Sequence, residues 1–189
     1  HVPQYCAGND NWVAMGPIRD GSDSGLLGHW KLDETSGTVA GDASGNLING
    51  TFSGDTAVNS VDGKISTAWT FDGTDDEIQI NNSPNFTLDA GGSYAFWINY
   101  DAATSGAHRV FSIGGSADIF KQLNATGYDM RLRDGSSVGC IVNNNANSLR
   151  DSEWHHVTIT RAPSGLCNVY IDGNADQTGT GGNTTITPT

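Results

Sequence analysis

Short stretches of the chain alternate polar and apolar side chains with a period of two. In Trp154–Arg161, His156, Thr158 and Thr160 share one face, while His155, Val157 and Ile159 take the other. In Tyr128–Asp134, Met130 and Leu132 oppose Arg131 and Arg133. Further β-like runs are LLGHWKLD (26–33), NGTFS (49–53), TAWTFDG (67–73), DEIQI (76–80), SYAFWINY (93–100), HRVFSIG (108–114), SSVGCIV (136–142) and LCNVYIDG (166–173). Gly, Asn, Asp and Ser separate them. Period-two patterning broken by turn residues at such spacing predicts an antiparallel sandwich or barrel. No amphipathic helix and no internal repeat is visible. Residues 1–24 read as an N-terminal hairpin arm and linker, with Tyr5-Cys6 and Trp12–Met15 flanking the turn-rich AGNDN. The main domain is expected over 25–175. The stretch from Asn174, NADQTGTGGNTTITPT, reads as loop with one edge strand at its end.

Composition narrows the function classes. Length 189 suits one domain with a small appendage. Nine Lys+Arg against 21 Asp+Glu give a net charge of −12, which repels nucleic acid and anionic membrane surfaces. The same surface suits calcium or neutral ligands such as sugars. The 25 glycines, with abundant Asn, Ser and Thr, favour turns and strand edges over long helices. No apolar run approaches the roughly 18–20 residues of a membrane span, so no membrane insertion is expected.

Five groups of residues carry candidate chemistry. GDASGNLINGT (41–51) supplies the Asp42 carboxylate and the amide oxygens of Asn46 and Asn49, hard donors that suit calcium. Three side-chain oxygens are fewer than calcium's usual six to eight ligands, so carbonyls, water or another strand must complete the shell. The competing reading is a Gly/Asn turn in which Asp42 caps backbone amides. Asp72, Asp75, Asp76 and Glu77 form a second acidic group, read as a solvated turn or a second calcium position. His155 and His156 are adjacent on a strand and point to opposite faces, so they do not share a metal. Trp30, Trp69 and Trp97 are expected in the core, leaving Tyr94, Tyr100 and Tyr128 as candidates to stack on a sugar ring. Cys140 and Cys167 fall in strands flanking the WHHV strand and are expected to form a disulfide, with Cys6 left over.

Five motifs in order are more specific: GLLGHWKLDETSGTVAGDASGNLINGT, AWTFDGTDDEIQI, SYAFWINY, SEWHHVTITR and CNVYIDG. This succession resembles the laminin-G-like, or concanavalin A-like, jelly roll of bacterial extracellular proteins, over about residues 26–175. The resemblance implies an all-β antiparallel jelly-roll sandwich. It also implies a further closing strand, so 176–189 is expected to lead to a strand beyond Thr189, where an acidic residue would join the Asp42 ligands. Jelly-roll glucanases carry an alternating carboxylate trio on one strand; here Asp75 and Glu77 are followed by Gln79, and the trio is incomplete. The implied function is a non-catalytic module, extracellular or on the cell surface, binding glycans or cell-surface proteins with calcium as a stabiliser. The alternatives are a subunit or decoration of a surface filament, appendage or virion, meeting neighbouring copies through the N-terminal arm, and a glycosidase fragment.

Overall fold

The structure is a computed structural model that describes residues 4–6, 12–14, 25–54, 59–80, 91–100, 107–113, 117–124, 127–134, 137–144, 149, 151–164 and 166–180. It divides into two units, residues 1–84 and 85–189. Every strand pair among the described residues is antiparallel.

In the first unit β1 (Gln4–Cys6) pairs with β2 (Trp12–Ala14), the hairpin expected from the turn-rich sequence AGNDN. A three-stranded sheet follows in the order β3 (Val39–Ala40), β4 (Gly50–Ser53), β7 (Glu77–Ile80). β5 (Asn59–Asp62) and β6 (Thr67–Thr70) form a separate ribbon. The core is Ala40, Phe52 and Trp69, with Trp30, Leu32 and Ile78 packed on it. Phe52 meets Trp69 edge to face, at 5.9 Å and 89°. Both indole N–H groups are used inside the unit: Trp69 Nε1 donates to the Glu34 carbonyl (2.9 Å) and Trp30 Nε1 to the Ile48 carbonyl (2.8 Å). The run 26–33 is not a strand. It makes one isolated bridge, Trp30 to Asp42, because Leu32 sits at φ 56°, which breaks a ladder.

Gly50 illustrates how tightly this sheet is packed. A Cβ there would press into the Ile78 Cγ2 methyl and touch Ala40 Cβ. Gly50→Ala is therefore expected to destabilise the unit by roughly 1 kcal/mol through overpacking. Urea unfolding followed by tryptophan fluorescence measures it.

The second unit holds two four-stranded sheets. One runs β15 (Asn174–Thr180), β14 (Leu166–Ile171), β13 (Trp154–Arg161), β8 (Gly92–Asn99). The other runs β12 (Ser137–Asn144), β11 (Gly127–Asp134), β10 (Ala117–Asn124), β9 (Ala107–Ile113). β12 adjoins β14 and β15. Val157, Ile159, Cys167, Val169 and Ile171 are buried on one face of the first sheet, as period two dictates. β15 occupies a stretch read from composition as loop. Asp172 and Gly173 both take positive φ (51° and 78°), the two-residue turn that folds one strand back on the last. Backbone pairing to β14 then overrides the weak strand propensity of its Asn, Asp and Gly residues.

Candidate functional site

The loop from Gly41 to Thr51 is held by its own side chains. Asp42 Oδ1 accepts from the backbone N–H groups of His29 (3.0 Å) and Ser44 (2.8 Å). Asp42 Oδ2 accepts from the Ser44 hydroxyl (2.8 Å) and the Ile48 N–H (3.0 Å). Burial pushes the Asp42 pKa up, but the Ser44, Ile48 and His29 amides and the Ser44 hydroxyl outweigh it and hold the carboxyl below its usual 3.8. Asn49 Oδ1 accepts from the Asp42 N–H (2.9 Å). Asn46 Nδ2 donates to the carbonyls of Leu26 and Leu27 (both 3.0 Å), tying the loop to the incoming segment. Glu34 Oε1 takes the Gly41 N–H (2.8 Å). Asp42, Asn46 and Asn49 thus share one loop, with Asn46 turned to the Leu26 and Leu27 carbonyls and the Asp42 oxygens taken by backbone and hydroxyl donors. These four donors match the roughly four lone-pair sites of the Asp42 carboxylate. A cation there would share each oxygen with a backbone or hydroxyl donor.

The acidic turn before β7 has another character. One oxygen from each of Asp72, Asp75 and Asp76 lies within 4.8 Å of the others. Two oxygens across a calcium ion stand about 4.6–5.2 Å apart, so the spacing suits a hard divalent cation. Asp72 Oδ1 accepts from the Thr74 N–H (2.7 Å) and the Asp75 N–H (3.4 Å), and Asp76 Oδ2 accepts from the Asp72 N–H (3.0 Å). The Thr74 amide, helped by those of Asp75 and Asp76, holds the Asp72 carboxyl below its usual pKa, and so charged at neutral pH. Gly54 lies directly beneath, where a Cβ would strike Asp76 Oδ1. On the following strand Gln79 Nε2 donates to Glu77 Oε1 at 2.6 Å.

In the second unit the WHHV strand sends its two histidines to different tasks. His155 Nδ1 lies 2.8 Å from Asp172 Oδ2, and Nε2 lies 3.0 Å from Asp151 Oδ1. Asp172 Oδ1 also takes the His156 N–H (2.8 Å), and Asp151 Oδ1 takes the Glu153 N–H (3.0 Å). Burial lowers the His155 pKa, but the hydrogen bonds to Asp172 and Asp151 outweigh it and raise it above 6.5. The His155 hydrogen bond holds Asp172 below its usual value, and the Glu153 amide followed by the His155 bond does so for Asp151. The sequence reading missed this clasp. Its available signal was Asp172 itself, the first residue of an Asp-Gly turn two strands' ends from a histidine pair.

The remaining expected site residues are placed as follows. Tyr94 is half-buried on the same side of β8 as Phe96 and Ile98, and burial pushes its hydroxyl pKa well up. Tyr100 is half-buried beyond the end of β8. Cys167 is fully buried. The side chains of Tyr128, Cys6 and Cys140 lie outside the described residues, and so does the expected disulfide. Trp69 is core, as expected, whereas Trp97 is 40% exposed. Its ring stacks at a tilt on His156, at 5.0 Å and 58°.

A family model described as the concanavalin A-like lectin/glucanases superfamily, of the laminin-G type, matches residues 72–189. Among solved structures the chain is similar to the binding domain of Paraclostridial Mosquitocidal Protein 1, with 20% identity and a TM-score of 0.48. That match covers 84% of this chain and 42% of the other, so the chain spans less than half the length of that relative. A search of curated proteins finds no match.

Proposed function

Because this chain belongs to the concanavalin A-like lectin/glucanase superfamily, we propose that it is a non-catalytic extracellular module that binds glycans, with calcium held at the Asp72 turn. The observation that supports the non-catalytic half of this reading is what its acidic groups are doing. Asp42, Asp151 and Asp172 each accept two or more hydrogen bonds within the fold. Glu77 is hydrogen-bonded to Gln79, the residue that stands where a third carboxylate would complete a glucanase trio. Carboxylates engaged in this way support the fold more than they support acid–base exchange. Among the described residues no helix is long and apolar enough to cross a membrane; the extracellular assignment is part of the proposal.

An array of neutral, sialylated and sulfated glycans tests the binding half. Retention of glycans without release of reducing ends supports the module, and steady release of reducing ends removes it. The calcium half is tested separately by thermal melting. With a dissociation constant on the order of 1 mM, usual for extracellular modules, about 10 mM calcium stabilises by ~1.4 kcal/mol. For a chain of this size that raises the melting temperature by roughly 3–5 °C. Asp72→Asn combined with Asp76→Asn is expected to abolish the rise. An unchanged melting curve with calcium overturns the ion and leaves glycan binding to the array.

A further inference from the structure

On the reading that the module binds glycans, we infer that the outward face of the β8–β13–β14 sheet is the binding surface, and that its ligand is an uncharged oligosaccharide seated on Trp97. The burial pattern fixes which face is outward. Val157, Ile159, Cys167, Val169 and Ile171 are buried, so the alternate positions of β13 and β14 face the other way. On β8 the exposed positions include Ala95 and Trp97.

Strand register then assembles the surface. His156 pairs with Trp97, and the next row is Ala95, Thr158 and Tyr170. Beyond it stands the row of Ser93, Thr160 and Asn168. The exposed indole in contact with His156 offers a flat apolar area. Ala95, the small residue of the next row, leaves room beside it. Hydroxyl and amide side chains border that room, which is the combination a sugar ring needs: an apolar face to stack and hydroxyl groups to hydrogen-bond. From strand spacing and rise, Tyr170 is roughly 12 Å from Trp97, a span that suits several linked sugars better than one.

Charge decides the ligand class. The chain carries 21 acidic and 9 basic residues. Yet no Asp, Glu, Lys or Arg stands at any outward position of β8, β13 or β14. A sulfated or sialylated glycan would find no cation there and would meet the repulsion of a net-negative chain. A neutral one loses nothing. This face also separates the stacking aromatic from Tyr94, which lies on the opposite, core-facing side of β8.

The test uses the whole chain and a neutral glycan retained on the array. Calorimetric titration of wild type, Trp97→Ala and Trp97→Phe is read beside near-ultraviolet circular dichroism and melting temperature. Trp97→Ala is expected to weaken binding at least tenfold with the fold retained, and Trp97→Phe to recover most of the affinity. In the wild type the Trp97 indole N–H resonance, assigned by its loss in Trp97→Phe, should move more than the other indoles on titration; this reading stands even where the alanine variant fails to fold. Wild-type affinity in folded Trp97→Ala, or an unmoved Trp97 resonance, overturns the placement while the glycan-binding reading survives. Retention of charged glycans alone overturns the ligand class in the same way. Retention of no glycan removes both.

Discussion

Asp42→Ala is expected to lower the stability of the first unit by about 2–4 kcal/mol, read as a fall in its urea denaturation midpoint. Four donors converge on this one carboxylate, three from the backbone and one from Ser44. Ser44 is 1% exposed, so water cannot readily replace the carboxylate at its donors. The energies do not add fully, because several bonds serve the same loop. Asp42→Asn is informative beside it. The amide keeps the shape, but its NH2 must face N–H or O–H donors in either orientation, so most of the loss should persist. Ser44→Ala removes one of the four bonds and should cost about 1 kcal/mol. Equal stability of Asp42→Asn and wild type would contradict the reading of Asp42 as an anchor for the loop.

His155→Ala is expected to cost about 1–2 kcal/mol near pH 6, less than a fully buried ion pair because Asp151 and Asp172 are each nearly half exposed. The pH dependence follows from the directions of the shifts. His155 titrates higher in the folded chain than its ordinary 6.5. Its contribution is therefore complete below about 6.5 and is lost as pH rises through the raised folded value. Asp151 and Asp172 titrate below 3.8 when folded. Their contribution is complete above about 3.8 and is lost as pH falls through the lowered values. The difference between wild type and His155→Ala should thus peak between about pH 4 and 6.5 and shrink on either side. Chemical denaturation at a series of pH values measures it. A difference that grows above pH 8 would contradict the clasp.

The period-two segments were the most legible part of the sequence. Trp154–Arg161 needed only its own alternation to place Val157 and Ile159 in the core. β10 and β15 were not legible, since their strand character comes from backbone pairing with the neighbouring strands rather than from their own side chains. Asp118, Lys121, Gln122 and Asn124 break the apolar pattern of β10, yet β9 and β11 pair it on both sides. Residues 26–33 show the reverse, with an apolar alternation cancelled by one residue at positive φ, Leu32. For the candidate site, the Gly41–Thr51 loop and the Asp72 turn were visible as clusters of oxygen-bearing residues. What each oxygen accepts was not, because His29, Ser44 and Ile48 reach Asp42 through their backbones, which composition does not encode. Trp97 was misplaced for a related reason: a tryptophan inside a strand is legible as buried or exposed only once the strand's core face is known, and that face is set by β13 and β14.

The central claim is that the chain holds intact neutral glycan rather than cleaving it. Saturation-transfer-difference NMR on the native chain with a retained neutral oligosaccharide tests this most directly. The account predicts saturation concentrated on the ring protons of one sugar face, with the glycan spectrum unchanged over hours. Absence of transfer, or the growth of new reducing-end resonances, would contradict it.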